Sequence, residues 1–355
     1  MAKRNILILG ASYGSLLGAK LLLAGHDVHL VCLPAEANLI NAEGIRVRLP
    51  VKGREGLLEL DSRRLPGRLS ASGAGEVDPA GFDLVGLAMQ EPQYASAGVR
   101  ELMQKLAEAR VPCMSIMNMP PLAYLKRLPG LDAAALRQAY TDPSVWDPFD
   151  PDLVTLCSPD PQAFRPPEEQ PNVLQVRLPT NFKAARFAAA EHTAILRELE
   201  ADIEASRLNA DGEALQLPVM LKVFDSVYVP LAKWSMLLAG NYRCVQEDSV
   251  RPIRDAVHGD LAQARHVYQW VGDVCQAVGA APADLVPFEK YANAAQGLAS
   301  PSSAARALAA GARNIERVDK LVQLIARQRG MSLPAVDETV RLVDLWLERN
   351  RRAAA

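Results

Sequence analysis

The first 31 residues constrain the fold more than any other stretch. Asn5–Leu9 (NILIL) is an uncharged apolar run, the pattern of a strand buried on both faces. It enters Gly10-Ala11-Ser12-Tyr13-Gly14 and then the helical pattern SLLGAKLLLA. Gly25-His26 ends that helix before a second strand, Asp27–Val31 (DVHLV). A strand, a glycine-containing turn and a helix N-terminus make a phosphate cradle, because free backbone N–H groups point at the anion and the helix dipole favours negative charge. The order is that of the βαβ unit opening dinucleotide-binding folds. The spacing departs from G-x-G-x-x-G: three residues separate Gly10 from Gly14, and Gly18 follows one helical turn on. Ser12 offers a hydroxyl where the middle glycine is missing. The competing reading is a βαβ unit that binds nothing; the well-formed strand and helix around the turn favour a nucleotide.

Alternating strand and helix signals continue. Asp83–Ala88 (DLVGLA) and Val111–Met117 (VPCMSIM) read as strands flanking a helix over Glu101–Ala109, which predicts a doubly wound, mostly parallel sheet. From Pro129 to Pro179 the chain is rich in proline and aspartate. Loops, short helices and two strands are expected there, near Leu153–Cys157 and Asn172–Leu178, with Trp146, Asp147 and Phe149 on a plain surface loop in preference to a lid. Helix resumes over Phe187–Ala205. The turn-forming cluster Leu208-Asn209-Ala210-Asp211-Gly212 is the expected boundary. It gives an α/β Rossmann-type dinucleotide-binding domain over residues 1–212 and an all-α substrate and dimerisation domain over 213–355. In the latter, 219–245, 250–279, 302–329 and 335–350 read as helices, and the tail RNRRAAA as frayed. A chain of 355 residues suits two domains, since single cores seldom grow past ~250 residues.

Charge and cysteine usage exclude several classes. A net charge of −2 gives no basic excess to draw nucleic acid or an anionic membrane. No run reaches the ~18 apolar residues of a membrane helix, and the apolar run in MAKRNILILG is too short to be expected to act as a secretory signal. Five scattered cysteines without a C-x-x-C pair fit reduced thiols and a cytoplasmic location, with no metal site.

In the C-terminal half stand Leu231-Ala232-Lys233-Trp234, then Asn241, Pro301-Ser302-Ser303, and Ala312-Arg313-Asn314-Ile315-Glu316-Arg317 before Arg329-Gly330. Ile116-Met117-Asn118-Met119-Pro120 closes a strand of the first half. In order and spacing these segments resemble the ketopantoate reductase (2-dehydropantoate 2-reductase) family of pantothenate biosynthesis. The resemblance implies NADPH-dependent reduction of a 2-oxo acid to its 2-hydroxy acid by a homodimer. It assigns Lys233 as catalytic general acid and Asn118, Asn241 and Ser302 to the substrate. The cofactor would be held by Gly10, Ala11, Ser12, Tyr13 and Gly14, with Gln90, Asn118 and Asn314. The residue types suit the chemistry: hydride delivery builds charge on a carbonyl oxygen, which an ammonium group stabilises and protonates. Lys233 and Asn241, eight residues apart, would share a helix face.

Departures from that pattern fall mainly on the cofactor side. Leu33 stands where the family has an arginine for the 2′-phosphate, with Glu36 the nearest charge, so NAD is open beside NADP. Gln90 replaces a lysine, and Asn314 replaces a glutamate, with Glu316 two residues on. Leu237 replaces an asparagine, which points to a less polar 2-oxo acid. An opine or hydroxyacid dehydrogenase of the same architecture, or a nucleotide-binding protein without catalysis, are the alternatives. Ser302 also reads as a plain N-cap and Asn118 as a strand end.

Overall fold

The computed structural model describes residues 2–210 and 212–354. The chain forms two compact units: one comprises the residues up to Met89, Gln93–Tyr124 and Ser144–Asp225; the other comprises Gln90–Pro92, Leu125–Pro143 and the residues from Ser226 on.

The strands of the first unit, in chain order, are β1 (Asn5–Leu9), β2 (Asp27–Val31), β3 (Arg46–Pro50), β4 (Leu57–Asp61), β5 (Leu69–Ser72), β6 (Leu84–Leu87) and β7 (Cys113–Ile116). They continue as β8 (Val154–Ser158), β9 (Gln162–Phe164), β10 (Val173–Leu178), β11 (Phe182–Ala185), β12 (Leu208–Ala210), β13 (Glu213–Leu215) and β14 (Leu221–Phe224). The main sheet has eight strands in the order β14-β11-β8-β7-β6-β1-β2-β5, parallel except where β11 meets β8. The expected α/β class is therefore the observed one. β1, β6, β7 and β8 lie inside the sheet, which is why they read as unbroken apolar runs. Chain order reverses at β1, with β2 on one side and β6 on the other. Leu9 pairs with both Val31 and Leu87, so the three carboxyl ends finish level.

A second sheet, β4-β3-β10-β9, was not legible in the sequence as a separate layer. The helix Tyr13–Leu23 packs against β1 and β2 and also against β3 and β10 of this sheet. It is buried on every side from Gly14 to Leu23, which explains its nearly all-apolar sequence. Its one charge, Lys20, is 2% exposed, and Nζ donates to the carbonyls of Leu217 and Pro218 at 3.1 and 3.2 Å. Burial pushes the Lys20 ammonium down to about 8, with Arg207 adding to the effect.

Several expectations are corrected. Residues 221–224 are not helical: β14 lies parallel to β11 at the edge of the main sheet, and the sheet unit runs past 212 to Asp225. Of the cluster expected as a boundary, Leu208–Ala210 is instead strand β12, antiparallel to β13 with Leu208 pairing with Leu215; Asp211 lies outside the described residues. Trp146 and Phe149 are core, not surface loop, because Trp146 packs on Tyr94 at 5.3 Å and on Phe149 at 6.0 Å. The strands expected in the proline-rich middle do form, as β8 and β10.

The second unit is helical, with Ile253–His258, Leu261–Ala277, Phe288–Ala295, Ser303–Ala309, Val318–Gln328 and Pro334–Ala353 as its longer elements. The expected single helix over 302–329 is broken between Ala309 and Val318. The last helix is not frayed: it persists to Ala353, where Arg349 bonds the carbonyl of Glu247 and Asn350 those of Leu308 and Ala312. Among the described residues no helix is long and apolar enough to cross a membrane, and no cluster of His, Cys, Asp and Glu has the geometry of a metal site.

Candidate active-site residues

The glycine turn sits at the reversal point of the main sheet, the place where open α/β sheets bind ligands. Gly10 has φ +103°, and a Cβ there would come within 2.8 Å of the Ala88 carbonyl oxygen and 2.7 Å of Met89 Cγ. Only glycine fits. At Gly14 a Cβ would meet Ile8 Cγ2 at 2.5 Å, so this glycine lets the helix start against β1. Gly18 has ordinary room around it. Ser12 is exposed and its side chain makes no capping bond. Ser15 Oγ donates to the Ala11 carbonyl, which ties the turn to the helix. The Tyr13 side chain leaves the turn: its hydroxyl donates to the Pro159 carbonyl at 3.1 Å and its ring meets Phe182 edge-on at 6.1 Å. At the turn Tyr13 therefore presents its backbone alone. The cradle is built from the first-turn N–H groups, Ser12 and the space kept open at Gly10.

Other residues named from the sequence follow strands of the main sheet in the chain. Asn118 follows β7 and is half-buried. Leu33, after β2, is 74% exposed. Glu36 is paired with Arg165, which follows β9. The sequence reading missed Arg165 because 129 residues separate the partners. Gln90 follows β6, is exposed, and clusters with the helical unit.

In the helical unit Lys233 is half-buried between Leu231 and Trp234, which are 0% and 1% exposed. It begins one α-turn, Lys233–Met236, which passes into a π-turn, Leu237–Asn241, and a 3-10 turn, Tyr242–Cys244. The π-turn matters for phase. Eight residues of regular α-helix overshoot two turns by about 80°, whereas one extra residue taken into a turn brings Asn241 back toward the face of Lys233. Such a turn leaves carbonyls short of donors, and here Tyr291 Oη–H donates to the Met236 carbonyl at 3.0 Å. Gly240 makes room for it, since a Cβ there would lie 1.9 Å from that hydroxyl oxygen. Leu237 is 4% exposed.

Ser302 and Asn241 are brought together. The Ser302 hydroxyl donates to the Asn241 carbonyl at 2.7 Å and accepts from Ala305 N–H at 3.2 Å. It is 2% exposed: the N-cap accounts for its acceptor oxygen, and the Asn241 carbonyl takes its hydroxyl proton. Asn314 is not brought in: it is exposed and its Oδ1 accepts from Arg351 at 3.0 Å. Glu316 is the acid held inward. Its carbonyl accepts from the Tyr242 hydroxyl at 2.5 Å, and its Oε1 accepts from Glu91 N–H at 3.4 Å. Glu91, missed from the sequence, is 1% exposed and accepts from Thr141 N–H at 3.0 Å and Thr141 Oγ1 at 2.9 Å. Burial pushes its carboxyl up to about 7 against the Thr141 hydrogen bonds.

A doubly wound sheet with a glycine turn at its reversal point, followed in the chain by a helical unit, defines the fold class. No protein-family profile and no curated protein sequence matches the chain. Solved structures do. A 2-dehydropantoate 2-reductase from Methylococcus capsulatus is 17% identical with a TM-score of 0.65, over 98% of this chain and 97% of that one. A D-mandelate dehydrogenase, solved with NADH and anilino(oxo)acetate, is 15% identical with a TM-score of 0.63, over 98% and 99%. A dimeric ketopantoate reductase from Staphylococcus aureus is 10% identical with a TM-score of 0.61, over 98% and 99%. The chain thus has, over nearly its full length, the fold that ketopantoate reductases share.

Proposed function

We propose that the chain is an NAD(P)H-dependent reductase of a small 2-oxo acid. The observation that carries this reading is the Gly10 turn, where the space a Cβ would fill is kept open beside a helix N-terminus at the sheet's reversal point. That cradle fits a dinucleotide pyrophosphate. The nicotinamide, when bound, supplies the hydride. First-turn N–H groups and the Ser12 hydroxyl hold the pyrophosphate. Lys233 holds a proton on Nζ for the substrate carbonyl oxygen and stabilises the charge that develops there. Asn118 and Asn241 orient the substrate and nicotinamide amide groups, and Glu316 takes the part first expected of Asn314. Ser302 holds the Asn241 backbone. The molecule works as a homodimer.

A 2-oxo acid with an apolar side chain is the favoured substrate. Leu237 stands in place of a polar residue, and the D-mandelate dehydrogenase neighbour was solved with an aryl 2-oxo acid derivative. The test is nicotinamide absorbance with a panel of aliphatic and aryl 2-oxo acids. Oxidation of the cofactor that depends on the added acid is expected. Lys233→Ala should lower turnover by about 10²–10⁴-fold while leaving cofactor affinity within a few-fold. No oxidation with any 2-oxo acid, or equal loss of turnover and affinity in Lys233→Ala, would contradict the proposal.

A further inference from the structure

In a Rossmann unit the adenosine ribose lies over the carboxyl end of the second strand, where an acidic side chain takes its hydroxyls or a cation takes a 2′-phosphate. Here that end is Val31-Cys32-Leu33, level with the glycine turn: Gly10 N–H donates to the Val31 carbonyl at 2.9 Å. Leu33 is exposed and brings no charge. Glu36 lies in the first turn of the helix Pro34–Glu43, 22 residues after Gly14. Arg165 Nη2 donates to Glu36 Oε1, while Oε2 takes no hydrogen bond from the described residues. The Glu36 side chain is 13% exposed and that of Arg165 29%.

The pair decides between two cofactors. To receive a 2′-phosphate, Arg165 would have to leave Glu36, placing a part-buried carboxylate without its cation beside a dianion. To receive a ribose hydroxyl, Glu36 uses Oε2 and keeps Arg165 on Oε1, so every charge stays paired. We propose that this chain selects NADH over NADPH, with Glu36 accepting the ribose 2′-hydroxyl and Arg165 acting as the residue that positions Glu36. The proposal rests on the dinucleotide reading above and narrows it.

Nicotinamide fluorescence titration of the full chain, with NADH and NADPH in turn and no substrate, tests it. NADH should bind at least tenfold more tightly than NADPH. Glu36→Gln, which keeps an acceptor but removes the charge, should bring the two within about threefold, chiefly by tightening NADPH. Arg165→Gln should weaken NADH severalfold and NADPH further; if that variant fails to fold, the wild-type ratio and Glu36→Gln decide. A wild-type preference for NADH below tenfold, or a ratio unchanged in Glu36→Gln, overturns the proposal. Tighter NADPH binding lost selectively in Arg165→Gln also overturns it and makes Arg165 the phosphate receptor, with the dinucleotide reading intact. Binding of neither nucleotide overturns both.

Discussion

Glu91→Gln isolates the energetic cost of the buried carboxyl that Thr141 holds. In the folded chain the Glu91 carboxyl is pushed up from the ordinary 4.5 to about 7, with burial as the main cause. Tenfold in proton affinity is about 1.36 kcal/mol, so the difference amounts to roughly 3 kcal/mol. The sign follows from which state holds the proton. Between pH 4.5 and 7 the folded chain keeps it and the unfolded chain has lost it, so stability present below pH 4.5 is lost as pH rises toward 7. The glutamine is neutral throughout and keeps an oxygen to accept from Thr141 N–H, which now meets Glu91 Oε1. Urea unfolding of both proteins from pH 4 to 8 gives the stability difference at each pH. The variant should gain on the wild type by about 3 kcal/mol across that range, with the change centred between pH 4.5 and 7. A difference that stays constant with pH would refute the reasoning, because it would mean that Glu91 is solvated or compensated in the folded state.

Three further outcomes can be checked on the same footing. Lys20, lowered from 10.5 to about 8 by burial, makes the wild type gain stability as pH rises from 8 to 10.5, by roughly 3 kcal/mol in chemical denaturation. Lys20→Met should lack that rise. Gly240→Ala should destabilise by about 2 kcal/mol or more, because the new methyl meets the Tyr291 hydroxyl; Tyr291→Phe alone should cost about 1 kcal/mol, and the double variant less than the sum in a thermal double-mutant cycle. Ser302→Ala removes both the helix cap and the tether to Asn241 and should cost about 1–2 kcal/mol in urea unfolding.

What was legible in the sequence was local. β1, the glycine turn and its helix are contiguous, so one stretch of 31 residues carries the whole βαβ signal. β6, β7 and β8 announced themselves because interior parallel strands are apolar on both faces. Four-residue β14 was hidden: LKVF fits a helix as readily as an edge strand, and only its pairing with β11 decides. The second sheet was hidden for the same reason, since β3 finds β10 across more than a hundred residues. In the helical unit, Lys233, Asn241 and Ser302 were named by order and spacing, but the π-turn between Lys233 and Asn241 was not legible, and the Tyr291 hydroxyl that bonds the Met236 carbonyl beside it comes from fifty-five residues away. The bond of Glu316 to the Glu91 N–H, and the reach of Arg165 to Glu36, are likewise contacts that no local pattern encodes.

The most direct measurement is a crystal structure of the chain grown with NADH. The pyrophosphate is expected on the backbone N–H groups at the start of the helix Tyr13–Leu23, over Gly10, with the ribose hydroxyls at Glu36. Nucleotide density elsewhere on the molecule, with that turn left bare, would contradict it.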